Sequence, residues 1–290
     1  MRNIDLDSLH IFKAVVDYGG VTKAASQLNR VQSNITTRVK NLEDRLGVKL
    51  FQRQGGKLVL SPEGSQLLSY ADRLLRLASE AEAALRKGTP RGTLRIGTME
   101  STAAARLPPL LSRYHQHYPE VQIELLTGTS GALIGRVHRF EVEAAFVAEP
   151  FTATGLDMLE AFREELVLIT PKNTPPVKTP KDLRKHTLIA FSAGCSYRRI
   201  LEEWLGMSSV VPDRVLELAS YHAIVACVAA GSGIAIVPRS VLSVVHAEDE
   251  VAAYPLPERV AKAKTFLVWR TGHQSVALDA LQAELRKPKR

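Results

Sequence analysis

From Gln32 to Lys40 the chain carries seven polar side chains, Gln32, Ser33, Asn34, Thr36, Thr37, Arg38 and Lys40. They oppose an apolar stripe, Ile35, Val39, Leu42 and Leu46, whose spacings of 4, 3 and 4 are those of one buried helix face. Amide, hydroxyl and guanidinium groups in such a row hydrogen-bond base edges and phosphates. The neighbouring segments are those needed to position it. Leu9, Phe12 and Val16 predict a helix that Gly19-Gly20 stops. Thr22 is placed to cap a second helix with Ala24, Ala25 and Leu28 inside, and Asn29-Arg30-Val31 forms the turn into the polar helix. Gly47 closes that helix. Leu50–Arg53 and Lys57–Leu60 flank Gln54-Gly55-Gly56 as a hairpin with a glycine turn. This order is that of a winged helix-turn-helix over residues 1–61. Thr22, Lys23 and Arg30 join the polar helix as candidate DNA contacts, and Arg53 and Lys57 do so from the wing.

Charge agrees. The 290 residues carry a net charge of +8. Residues 1–60 hold ten Lys and Arg against five acids, so most of the excess lies there and favours an anionic partner.

The same stretch resembles the signature of LysR-type transcriptional regulators. The matching residues are Gly19-Gly20-Val21-Thr22-Lys23-Ala24-Ala25 with Leu28, Gln32-Ser33-Asn34-Ile35-Thr36 with Val39, Leu42 and Glu43, and Leu46-Gly47 with Leu50-Phe51 and Arg53. Val31 stands where the family has a capping Ser, Asn34 where it has a small residue, and Gly56 where it often has an arginine. These departures leave the fold expectation intact and the operator sequence open.

Ser61-Pro62 starts a long helix expected over 62–88. Leu67, Ala71, Leu74, Ala78, Ala81 and Leu85 form an a/d seam in it. The resemblance implies a linker helix that joins two copies of the chain, with a dimer of dimers beyond. Gly88–Gly92 ends the helix as an interdomain linker.

From Thr93 onward, strands alternate with helices, which predicts an α/β domain over 92–290 with ligands at strand carboxyl ends. Leu94-Arg95-Ile96-Gly97, Leu107-Pro108-Pro109-Leu110-Leu111, Tyr118-Pro119-Glu120-Val121 and Gly231–Pro238 are similar to the LysR-type effector domain. The resemblance implies two lobes like those of periplasmic solute-binding proteins. Lobe I would be 92–160 plus 267–290, and lobe II 161–266.

Four loops between strand ends and helix starts should line the cleft between the lobes, where free N–H groups favour polar ligand atoms. The first offers Glu100, Ser101 and Thr102, and the second Thr129 and Ser130. The third offers Ser192, Cys195, Ser196 and Tyr197, and the fourth His222. Glu149, after a strand at 144–147, could face Glu100, and two carboxylates would favour a cationic or amine-bearing effector. Cys195 at a helix start is in an environment that lowers a thiol pKa, which admits a redox-sensing alternative.

The expected function is a DNA-binding transcriptional regulator modulated by a small polar metabolite. The partners expected are double-stranded operator DNA, a second copy and RNA polymerase. A solute-binding protein would account for the second half only. No nucleophile elbow, P-loop or metal-ligand spacing stands out, so neither an enzyme, a metal site nor a cofactor is expected. No signal segment or membrane span is read, and the two cysteines fit a cytoplasmic protein.

Overall fold

The computed structural model describes residues 4–55, 57–85, 89–175, 177, 179–184 and 186–287. It divides into two compact units, Met1–Lys87 and Gly88–Arg290.

The first unit opens with α1 (Leu6–Asp17). Asp5 caps it, accepting hydrogen bonds from the Ser8 N–H and hydroxyl, both at 2.8 Å, and pairing with Arg45. These partners, the Ser8 N–H foremost, hold the Asp5 carboxyl down to about 2. Helix α2 (Val21–Gln27) is capped by Gly20, not by Thr22, which lies inside the helix on its exposed face. The capping position demands φ 147° there, which a glycine takes without strain and threonine does not. Helix α3 (Gln32–Leu46) begins after Val31 with no side-chain cap and ends on Gly47 in the left-handed region. Ala24, Ala25, Ile35 and Leu42 are buried, so α2 and α3 pack closely through small residues.

The wing strands β1 (Phe51–Gln54) and β2 (Lys57–Leu60) pair antiparallel. Glu43 ties α3 to them: one oxygen accepts the Leu50 N–H at 2.8 Å and the other meets Lys49 at 2.8 Å. Ser61 caps α4 (Pro62–Leu85), accepting from the Gly64 N–H and donating to the Lys49 carbonyl.

Helix α4 has two apolar stripes. Leu67 and Ala71 are buried in the unit's own core with Leu9, Phe12 and Leu42. They therefore do not belong to an outward seam, because α4 needs them to seat on α1. The exposed apolar row is Tyr70, Leu74, Leu77 and Ala81, again at spacings of 4, 3 and 4. The side chain of Leu85 lies outside the described residues.

The second unit follows the alternating pattern. Strand β3 (Gly92–Thr98) leads through α5 (Glu100–Ala105) and α6 (Leu107–His117) to β4 (Val121–Thr127). Helix α7 (Ser130–His138) leads to β5 (Ala144–Ala148) and the 16-residue β6 (Leu156–Pro171). Next come β7 (Leu188–Ala190), α8 (Ser196–Gly206), β8 (Val215–Glu217) and α9 (Tyr221–Ala229). The chain closes with β9 (Ala235–Pro238), α10 (Arg239–Val245), β10 (Val251–Pro255), α11 (Glu258–Ala261), β11 (Lys262–Arg270) and α12 (Val276–Arg286).

Strands β3, β4 and β5 run parallel. β6 carries the sheet from one lobe to the other by changing partners. Up to Glu165 it pairs with β11, and from Leu166 onward with β9 and β10. Just before the change, the Glu164 carboxylate is buried and accepts two hydrogen bonds from Arg106, at 2.6 and 2.8 Å, and one from Ser240. That cluster joins α5, β6 and α10.

Candidate nucleic-acid and effector sites

In the first unit, Thr22, Lys23, Arg30, Gln32, Ser33, Asn34, Thr36, Thr37, Arg38, Lys40 and Arg53 are all exposed. The side chain of Lys57 lies outside the described residues. Helix α3 presents its polar residues away from buried Ile35 and Leu42. Two arginines are engaged within the unit: Asp7 on α1 pairs with Arg30 at 3.0 Å and Arg38 at 3.6 Å. Exposed pairs of this kind contribute about 0–1 kcal/mol, so phosphates can displace Asp7. Nothing local in the sequence signals Asp7, because the pairing spans more than twenty residues.

In the second unit, strand ends converge on a narrow inner pocket. Glu100, Ser101, Thr129, Ser130, Cys195, Ser196 and Tyr197 line it, together with Met99, Gly128, Phe191 and Tyr221. Thr102 is buried beside it without lining it, His222 is exposed next to the lining residue Tyr221, and Glu149 and Ser192 are exposed elsewhere. Glu149 therefore does not face Glu100 across the pocket. Sequence reasoning misses Phe191, which follows its strand as one apolar residue among many.

Several hydroxyls are already committed. Ser196 donates to the Ala148 carbonyl at 2.7 Å, and Ser130 accepts the Ala148 N–H at 3.2 Å. Both tie helix starts to the end of β5. Thr129 caps α7 through the Ala132 N–H. Glu100 is different. One of its oxygens accepts the Tyr221 N–H at 3.3 Å, and the other is buried without a partner. Burial pushes its carboxyl above the usual range, against the pull of that N–H and of His222.

Cys195 is the N-cap residue of α8, yet burial raises its thiol pKa and outweighs the N–H groups of Arg198 and Tyr197. The expectation of a lowered thiol is thereby corrected: a desolvated thiolate costs more than the helix start returns.

A wider outer pocket of about 430 Å³ adjoins the inner one through Ser130, Cys195 and Ser196. Ile134, Pro150 and Phe151 give it an apolar wall. Among the described residues no group of three or more His, Cys, Asp or Glu could hold a metal ion, and no helix is long and apolar enough to cross a membrane.

Comparison with known proteins agrees with both halves. Residues 6–65 match the bacterial regulatory helix-turn-helix protein family of lysR type, and residues 87–288 match the LysR substrate binding domain. The HTH-type transcriptional regulator YusT of Bacillus subtilis is 39% identical over 93% of this chain and 91% of its own. GltR of the same organism is 34% identical over 92% and 90%. Among solved structures, a full-length single-residue variant of OxyR from Pseudomonas aeruginosa aligns with a TM-score of 0.73 over 99% of this chain and 96% of its own, at 21% identity. CbnR complexed with its target DNA aligns at 0.71 over 98% and 99%, at 23% identity. A DNA-reading unit followed by a two-lobed effector unit, each matched along its length, makes this chain a member of the LysR family of transcriptional regulators, DNA-binding proteins modulated by small-molecule effectors.

Proposed function

We propose that Gln32, Ser33, Asn34, Thr36, Thr37 and Arg38 read operator bases from the major groove, while Thr22, Lys23, Arg30, Lys40, Arg53 and Lys57 meet the backbone. The supporting observation is the exposed polar face of α3, opposite Ile35 and Leu42. Asn34→Ala should cost about 1–3 kcal/mol at one operator base pair and little on random DNA. Arg53→Ala should weaken both DNAs alike and lower the salt slope by about one. Binding titrations at several salt concentrations separate the two effects. Equal losses on operator and random DNA for Asn34→Ala would remove it from base reading.

Two copies join along the α4 row Tyr70, Leu74, Leu77 and Ala81. Its 4-3-4 spacing suits knobs-into-holes packing, and its exposure leaves it uncovered within one chain. Leu74→Glu with Leu77→Glu should shift the dimer to monomer in sedimentation and weaken binding to a two-half-site operator. A dimer that persisted through this helix would sink the assignment. A dimer of dimers, contact with RNA polymerase and action in the cytoplasm complete the reading by family resemblance.

The effector sits in the cleft between lobe I (92–160 plus 267–290) and lobe II (161–266). Glu100, Ser101, Thr129, Ser130, Ser196 and Tyr197 surround it. It acts by binding one lobe arrangement better than the other, since equal affinity for both would shift nothing.

A further inference from the structure

Glu100 is set in the inner pocket with one demand unmet. Its second carboxylate oxygen is shut off from solvent and has no hydrogen-bond partner. Among the described residues, no lysine or arginine pairs with it, and the titratable side chain that acts on it is His222, which is exposed. Glu164, by contrast, meets Arg106, and Glu43 meets Lys49. A buried carboxylate without a cation is costly, and burial accordingly favours the protonated form of Glu100 in the free protein. A cation arriving from outside would supply the counter-charge that the chain itself does not.

The walls fit the same chemistry. The rings of Phe191 and Tyr221 lie 4.8 Å apart between centroids, tilted by 55°, and both line the pocket. Aromatic faces attract cations through their quadrupoles. The free volume of the pocket that Glu100 lines is about 20 Å³, room for one water-sized group, which the carboxylate meets by turning its enclosed oxygen into that space. An ammonium head is that size, and a trimethylammonium head is not. The adjoining outer pocket offers Ile134 and Phe151 to a carbon chain.

We propose that the effector is a primary amine, with its ammonium group on the free oxygen of Glu100 against Phe191 and Tyr221, and its carbon body in the outer pocket. This rests on the cleft reading above. The probes are n-butylamine, butan-1-ol, butyrate and butyltrimethylammonium, each titrated against the full-length protein by ligand-observed NMR and calorimetry. Fragments of this size should bind weakly, in roughly the millimolar range, well short of the ceiling for so few atoms. n-Butylamine should bind at least about tenfold more tightly than butan-1-ol or butyltrimethylammonium. Glu100→Gln should lower its affinity by about the same factor. Ala193→Trp, an exposed position on the outer pocket, should also weaken it. The wild-type selectivity stands independently of whether any variant folds. No preference for the amine over the alcohol, or equal binding by Glu100→Gln, overturns the proposal. Preference for butyrate overturns it too, because Glu100 would then stand in for an anionic ligand, while the cleft reading survives. A probe bound equally by wild type, Glu100→Gln and Ala193→Trp sits elsewhere, and the cleft reading falls with the proposal.

Discussion

Gly64→Ala should strongly destabilise the DNA-binding unit and leave the effector unit intact. By helix propensity alone the change would be favourable by about 1 kcal/mol, since Gly64 lies in the first turn of α4. Packing reverses the sign. A Cβ on Gly64 would sit 2.1 Å from the Leu50 carbonyl oxygen and 2.9 Å from a Leu60 methyl. The first contact is with backbone, which cannot rotate away. Relief requires α4 to lift from the wing, and that breaks the Ser61 cap and its bond to Lys49. The expected cost is about 3 kcal/mol or more, in the range of severe overpacking. Both tryptophans, Trp204 and Trp269, lie in the second unit, so their fluorescence reports that unit alone. Circular dichroism should lose its first-unit contribution at lower temperature, operator binding should vanish, and the tryptophan transition should stay in place. A variant that melts and binds DNA like wild type would show that α4 adapts at no cost.

How far the sequence leads is visible in that same helix. Its start was legible because Ser61-Pro62 acts on its nearest neighbours. Its outward face was not. Both Leu67-Ala71-Leu74 and Tyr70-Leu74-Leu77 satisfy a heptad reading, and periodicity marks an apolar stripe without naming what covers it. The core of the first unit claims Leu67 and Ala71, which moves the free row three residues along. The helix-turn-helix, the wing and the alternating strands were legible for the complementary reason: turn, cap and period are local signals. The cap at Thr22 failed where backbone conformation at Gly20, not side-chain type, decides the start.

In the effector cleft the limits lie in long-range contacts. The loops were placed by their position between strand and helix, and Glu100, Ser101, Thr129 and Ser196 do line one pocket. Spacing could not reveal that Ser130 and Ser196 spend their hydroxyls on Ala148, distant in sequence from Ser196. Nor could it reveal that Cys195 is buried enough for desolvation to win over its helix start. Glu149 follows its strand as read, but its side chain turns to solvent.

Removing Arg106 should destabilise the effector unit strongly, and removing Glu164 with it should restore most of the loss. The Glu164 side chain is 4% exposed and the Arg106 side chain 28%. The two meet through paired hydrogen bonds at 2.6 and 2.8 Å, with Ser240 completing the carboxylate. In Arg106→Met the carboxylate keeps its burial and loses its counter-charge, at a cost of about 3–5 kcal/mol. In Arg106→Met with Glu164→Leu neither charge needs desolvating, and apolar replacements of similar volume are neutral or better. Glu164→Leu alone should fall between, because Arg106 is exposed enough to recover water. Urea unfolding followed by the tryptophans gives the three values and the coupling between the sites. A cost below about 1 kcal/mol for Arg106→Met would mean that the pair behaves as a surface pair and contributes little. Glu164 lies just before β6 exchanges β11 for β9 and β10. A double variant that regains stability can therefore still alter how readily the lobes move. Its effector response, compared with its regained unfolding midpoint, separates the pair's role in holding the fold from any role in setting the angle between lobes.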